Sequence, residues 1–252
     1  QEIWDFFAPF VNRYDAAVFT MRDYLGAGIE GPEVAFITPT IDPLSMKNAF
    51  FDPDTAYAVL RHYGIDRQRP LILQVSRFDP WKDPLGVIDA YRLVKEDHPD
   101  AQLLMVGSMA HDDPEGWEFL RMTQEHAKGD SDIHMLTNFE QVGNLEVNAF
   151  QRSATVILQK SLREGFGLTV SEAMWKKKPV VGGNVGGITL QIEDGATGFL
   201  VDSVEACATS VSKLLADPQL RYRMGNAGKE RVRDRFLTLR ELEDYLRLLT
   251  SL

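Results

Sequence analysis

Six short apolar runs, most of them followed by a turn and then by a longer amphipathic stretch, limit what this chain can fold into. They are Leu71–Val75, Gln102–Val106, Ile133–Leu136, Thr155–Leu158, Pro179–Val181 and Gly198–Val201. Runs this short and this continuously apolar suit strands covered on both faces, which is the situation of a parallel sheet. Between them, helical periodicity covers 84–97, 114–128, 142–152 and 169–178. A strand–helix alternation of this kind predicts an α/β, Rossmann-like doubly wound parallel sheet. Sheets of that type bind ligands beyond the carboxyl ends of their strands, so the segments leaving each run carry the functional information.

The flanks read differently. Residues 204–215, 218–235 and 239–249 have helical patterns and form a helical C-terminal tail. At the other end, 1–13 reads as an amphipathic helix, 16–20 and 34–38 as strands, and 21–25 as a helical piece between them. The Thr38-Pro39-Thr40-Ile41-Asp42-Pro43 stretch is a proline-punctuated exit, with 39–49 as linker. Two strands are too few for an independent α/β domain, so 1–46 is expected to be the end of a preceding domain plus linker. The main domain is then 47–236 and a final helix occupies 237–252. Gln1 opens neither a signal peptide nor a natural initiation, which predicts a piece of a longer protein.

Charge and cysteine use narrow the partners. With 27 Lys+Arg against 37 Asp+Glu, the formal net charge of −10 argues against a broad nucleic-acid surface. It leaves room for a small basic pocket that takes a phosphorylated ligand. The single cysteine, Cys207, allows no internal disulfide and suits a reducing, cytoplasmic location. No apolar stretch approaches the roughly 20 residues needed to span a bilayer, so no membrane partner is expected. A homo-oligomer is compatible with the composition.

Three turns carry chemistry. After the first run comes Ser76-Arg77-Phe78-Asp79-Pro80-Trp81-Lys82-Asp83-Pro84, where Asp83 and Pro84 look like an N-cap and first helical position. Arg77 and Lys82 then crowd the positive end of a helix, where cations are disfavoured. They are either two solvated surface charges or a pair awaiting an anion such as phosphate. After the fourth run comes Arg163-Glu164-Gly165-Phe166-Gly167-Leu168-Thr169-Val170-Ser171-Glu172. Its glycines let backbone approach a ligand closely, and its two carboxylates suit a polyhydroxylated ligand. The helix N-terminus between them offers bare N–H groups to phosphate. Thr169 and Glu172 also match a capping box, an alternative that leaves Glu164 unexplained. The third turn, Gly182-Gly183-Asn184-Val185-Gly186-Gly187, has four glycines in six residues, a composition shared by anion sites and flexible loops.

Taken in order, these turns resemble the nucleotide-sugar half of the retaining GT-B glycosyltransferases, the family of sucrose and glycogen synthases, over about residues 68–236. The marks are Arg77 with Lys82, the glutamates 164 and 172 around the glycine turn, Pro179-Val180-Val181 before the glycines, and Asp194-Gly195-Ala196-Thr197-Gly198. One departure is Gly186-Gly187-Ile188-Thr189-Leu190, where many members carry Gly-Gly-x-Pro-Glu. That departure, with Leu158–Arg163 and Val147–Arg152, is most similar to trehalose glycosyltransferring synthases and retaining trehalose phosphorylases.

The resemblance implies roles. Arg77 and Lys82 would hold the donor diphosphate and Glu164 the hydroxyls of the transferred sugar, these three being the catalytic candidates. Backbone from Gly165 through Phe166, Gly167 and Leu168 to Thr169 would run along sugar and diphosphate. Glu172 would contact the ribose, and Asn138, in Thr137-Asn138-Phe139, would lie near the base. The implied activity is retaining transfer of glucose from UDP-, ADP- or GDP-glucose to a sugar acceptor, glucose itself giving trehalose, with neither cofactor nor metal. The alternatives are a phosphorylase using inorganic phosphate and a non-catalytic nucleotide-sugar-binding module. In this family the final helix often packs back toward the first domain. Asp52-Pro53-Asp54 and Asp130-Ser131-Asp132 resemble metal-binding Asp-x-Asp pairs, but cap and turn roles explain them. The five histidines show no ligand spacing. A Gly-x-Gly-x-x-Gly after the first strand is absent, which tells against a dehydrogenase.

Overall fold

The six apolar runs pair as parallel strands of one sheet in a computed structural model that describes residues 2–252. The strands are β3 (Leu71–Val75), β4 (Gln102–Gly107), β5 (Ile133–Thr137), β6 (Val156–Gln159), β7 (Val180–Gly183) and β8 (Phe199–Val201), ordered β5-β4-β3-β6-β7-β8. They follow α1 (Glu2–Val11), the short parallel pair β1 (Ala16–Phe19) and β2 (Glu33–Phe36), and α2 (Pro53–His62). The crossovers are α3 (Pro84–Asp97), α4 (Pro114–Ala127), α5 (Asn144–Ser153), α6 (Leu168–Trp175) and the single turn α7 (Ile188–Gln191). The chain closes with α8 (Val204–Ala216), α9 (Pro218–Arg235) and α10 (Thr238–Ser251).

Side chains alternate across a strand, so each apolar run feeds two cores at once. Ile72, Leu103, Met105, Val156 and Leu158 pack with Val87, Ile88 and Tyr91 of α3, Leu120 of α4, and Val211 and Leu214 of α8. Leu71, Leu73, Leu104, Val106 and Ile157 pack on the opposite face with Leu60 of α2, Phe150 of α5, Val170 and Met174 of α6, and Val232 of α9. Each such side chain, fully withdrawn from water, contributes about 1.5–3 kcal/mol of transfer free energy. A polar run could not hold this sheet, and for that reason the strands were readable.

The strand order also fixes where a ligand can enter. From β3 the chain moves outward to β4 and β5, then returns to place β6 on the other side of β3. The crossovers therefore diverge at the carboxyl ends of β3 and β6 and leave a crevice between them. The turn after β3 carries Arg77 and Lys82, and the turn after β6 carries Glu164 to Thr169.

Two features differ from the sequence expectation. Helix α2 lies inside a stretch where periodicity predicts none, because only Ala56 and Leu60 of it are buried. Its start is chemical: the Asp52 carboxylate accepts from Thr55 N at 2.9 Å, and Pro53 occupies the first turn. The sixth helix ends at Trp175, short of residue 178, since Lys177 turns with a positive φ of 60°. The 39–49 stretch is held between the last two helices. Ile41 N donates to Phe236 O at 2.9 Å, Thr238 N donates to Ile41 O at 3.3 Å, and Ile41 forms a parallel bridge with Leu237. Helix α10 packs back on the first segment, with Arg240 Nη2 donating to Thr38 O at 2.6 Å and Thr40 bonded to Glu241.

Candidate functional site

On the β3 side of the crevice, Asp79 organises the turn. Its Oδ1 accepts from Trp81 N and Lys82 N, capping the single 3₁₀ turn Pro80–Lys82, while its Oδ2 holds Arg77 Nη2 at 3.0 Å. The next residue but three, Asp83, caps α3 by accepting from Gly86 N at 3.1 Å, as its place before Pro84 predicts. It does so from a left-handed backbone (φ 49°) and also pairs with the buried Lys160. Arg77 stays open to solvent, with 68 % of its side chain exposed, whereas Lys82 is 18 % exposed and points inward. Its Nζ lies 2.5 Å from Glu164 Oε2. The two cations at the helix start are therefore each balanced by a carboxylate of the protein.

On the β6 side, Glu164 is 9 % exposed and commits a single oxygen to the protein. Oε2 accepts from Lys82 Nζ, from Gln159 Nε2 at 3.2 Å and from Ser161 Oγ at 3.1 Å. Oε1 has no hydrogen bond among the described residues. Beyond it, Gly167 adopts a left-handed backbone (φ 81°) and serves as N-cap of α6. Backbone N–H groups of Gly165, Phe166, Gly167, Leu168 and Thr169 find no acceptor among the described residues. A run of bare donors at a helix start is an anion-binding arrangement. The Phe166 side chain is buried against Phe236. Thr169 Oγ1 donates to Val75 O at 3.3 Å, which fastens the two turns together.

The capping-box alternative for Thr169 and Glu172 is not what forms, because the cap is Gly167 and Thr169 already sits inside the helix. Glu172, 5 % exposed, instead pairs with Lys47 Nζ at 2.9 Å and accepts from Gln151 Nε2 at 3.3 Å. It belongs to a buried polar cluster that pins residues 46–49 onto α5 and α6. Lys176 Nζ donates to Asn48 Oδ1, and Asn148 and Arg152 donate to carbonyls of the same stretch. Burial pushes the Lys176 ammonium down to about 7. Asn138 is likewise occupied. Its side chain accepts from Met109 N at 2.7 Å and donates to Met109 O at 3.2 Å, tying the exits of β4 and β5.

The turn after β7 buttresses the Glu164 loop. Gly186 has φ 47°, and a Cβ there would lie 1.8 Å from Glu164 O and 2.6 Å from the Tyr24 hydroxyl. Gly187 N donates to Gly165 O at 3.2 Å. Two cavities flank this arrangement. One, of about 710 Å³, is lined by Tyr24, Trp81, Arg163, Gly165 and Gly186 among others. The second, of about 400 Å³, is lined by Pro39, Ser76, Gln159 and Gly167 to Thr169. Arg77, Lys82 and Glu164 line both, so the ion pair stands where the two meet. Asn138 and Glu172 line neither.

Sequence reasoning missed four contributors. Gln159 closes an apolar strand with an amide that reaches Glu164, and Gln74, one residue before the end of β3, reaches Lys82 O in the same way. The signal was present: Gln74-x-Ser76 and Gln159-x-Ser161 repeat one pattern at both strand exits, each amide donating to its serine at 3.2 Å. Lys47 and Tyr24 come from outside the sheet and had no such mark. The Asp-x-Asp candidates have structural partners: Asp52 caps α2, and Asp130 and Asp132 both pair with Lys95. Among the described residues no group of His, Cys, Asp or Glu could hold a metal ion, and no helix is long and apolar enough to cross a membrane. Cys207 is buried, which pushes its thiol up to about 12.

Comparison with known proteins gives the arrangement a context. Residues 59–231 match the pattern of the family described as glycosyl transferases group 1. A trehalose synthase of Rubrobacter xylanophilus is 52 % identical over 252 residues, covering all of this chain and 60 % of the relative. The chain thus spans about 60 % of the length of that relative. A solved glycosyltransferase of Rickettsia africae superposes with a TM-score of 0.84 at 22 % identity, over 98 % of this chain and 67 % of that one. Anabaena HepE, solved in complex with UDP-glucose, superposes with a TM-score of 0.80 at 18 % identity, over 97 % and 66 %.

Proposed function

The chain belongs to the group 1 glycosyl transferases, and on that premise we propose that it is the donor-binding part of a retaining enzyme that transfers glucose from a nucleoside-diphosphate glucose to an acceptor sugar, glucose as acceptor giving trehalose. The observation that carries this reading is the pairing of a half-committed carboxylate, Glu164, with five bare backbone N–H groups directly after it. A ligand with hydroxyls at one end and phosphates next to them satisfies both. The likeness to a trehalose synthase supports the sugar, and the UDP-glucose complex of HepE supports the donor class.

Each residue then has a task. The sugar end lies over Gly165 and Phe166, and the diphosphate lies along Gly167 to Thr169 and draws Lys82 and the exposed Arg77 onto its oxygens. Lys82 leaves Glu164 as it does so, and the carboxylate turns to the hydroxyls of the transferred glucose. The bond between the anomeric carbon and the phosphate oxygen breaks with its electron pair going to that oxygen. The acceptor hydroxyl attacks from the same face, and its proton passes to the leaving phosphate. Charge grows on the diphosphate as this happens, and the preorganised cations and N–H groups stabilise it there. In this proposal they do so without a metal ion. Glu172 reaches a ribose only by giving up Lys47, and Asn138 supports the base site by holding the strand exits rather than by touching the base.

Titration calorimetry with UDP, ADP and GDP and with their glucose conjugates tests the reading. Binding of at least one pair is the expected result. Absence of binding by all six at millimolar concentration would overturn it.

A further inference from the structure

Tyr24 lies on the short turn Arg22–Tyr24 between β1 and β2, outside the stretch that matches the family. Its hydroxyl nevertheless reaches the loop after β6, where it is shared between Glu164 O at 2.7 Å and Gly165 O at 2.8 Å. The contact is built from both sides. Gly187 N donates to the second of these carbonyls, and Gly186 leaves out a Cβ that would lie 1.8 Å from Glu164 O and crowd the Tyr24 oxygen at 2.6 Å. A carbonyl and the following N–H point to opposite sides of a trans peptide. Drawing the carbonyls of 164 and 165 toward Tyr24 therefore turns the N–H groups of Gly165 and Phe166 the other way. These are the first two of the five bare donors. The same contact fixes the backbone that carries the Glu164 side chain. Burial raises the Tyr24 phenol above its ordinary pKa, so the donated proton stays in place at neutral pH.

We propose that Tyr24 is a positioning residue for the sugar end of the donor: it sets the two peptides that aim Glu164 and the first bare N–H groups, and so makes sugar recognition depend on the segment before the sheet. The inference rests on the donor-site reading given above. Under it the phosphates, held by Arg77, Lys82 and the N–H groups further along, do not depend on Tyr24.

Tyr24→Phe keeps the ring and removes the hydroxyl. The test is calorimetry of the whole chain, wild type and variant, with UDP, ADP, GDP and their glucose conjugates, together with a thermal melt of each. For the nucleotide that the wild type binds, the expected result is about fivefold weaker binding of the glucose conjugate, the worth of one neutral hydrogen bond, with the bare diphosphate changed less than about twofold. Equal losses for both ligands, or no loss for either, would overturn the role of Tyr24 while leaving the donor site intact. A wild type that binds none of the six overturns the donor-site reading and this role with it. If the melt shows Tyr24→Phe unfolded at the assay temperature, the hydroxyl is a structural prop and the proposal fails.

Discussion

Lys82 and Glu164 stand 2.5 Å apart at the junction of the two cavities, so a substitution at either changes its partner as well. Lys82→Ala removes a cation from the phosphate site and leaves Glu164 with the two neutral donors Gln159 and Ser161. A charge-assisted bond is worth roughly 1.5–3 kcal/mol, about ten- to a hundredfold in affinity. Calorimetry should show that loss for a nucleoside diphosphate and almost none for the nucleoside. An unchanged diphosphate affinity would reduce Lys82 to a partner of Glu164. The glutamate was legible because charge next to glycine at a strand exit has few structural uses, and the lysine because a cation at a helix start is disfavoured without an anion. Tyr24 and Lys47 were not, since each meets the site through contacts spanning more than a hundred residues, and no local pattern encodes such a distance.

At the scale of elements, α6 joins two jobs that its sequence blends. Its first turn presents bare N–H groups to the crevice, while Glu172, further along, fastens residues 46–49 to the sheet. Beside a ribose contact the sequence left a capping role open for this acid, because Thr and Glu three apart fit one; the left-handed Gly167 took the cap instead. Glu172→Gln discriminates what remains. If the ribose displaces Lys47, the variant binds a ribonucleotide about tenfold more weakly and its deoxy analogue nearly as before. If Glu172 serves only the linker, both affinities hold, and the urea midpoint falls as the Lys47 pair is lost. Strands were readable for the opposite reason: both their faces are buried, so each position reports the fold. Helix α2, with two buried residues, gave periodicity too little to work with.

Among the described residues, the first and last helices each carry exposed apolar side chains. Ile3, Phe6, Phe7 and Phe10 of α1 are exposed, and so are Leu239, Leu242, Leu246 and Leu249 of α10, spaced to form one stripe. Transfer between two sugars needs a wall opposite the donor to exclude water and bring in the acceptor. Residues before the linker supply one helix and two short strands. This chain, given glucose and the nucleotide-glucose it binds, is therefore expected to accumulate no trehalose when the mixture is resolved by chromatography. Trehalose formed at an enzyme's rate, on the order of 1 s⁻¹ or more, would refute this. The bridge between Ile41 and Leu237 adds a constraint in time. During synthesis the six strands can leave the ribosome and pair one after another, yet Ile41 has no seat until α9 and the start of α10 emerge. The Ile41 part of the linker is thus made before the sheet and fixed after it, while residues 46–49 can already dock on α5 and α6. A chain stalled within α9 would hold an assembled sheet with residues 46–49 docked but Ile41 unseated, and Tyr24 would meet its loop with one tether fewer.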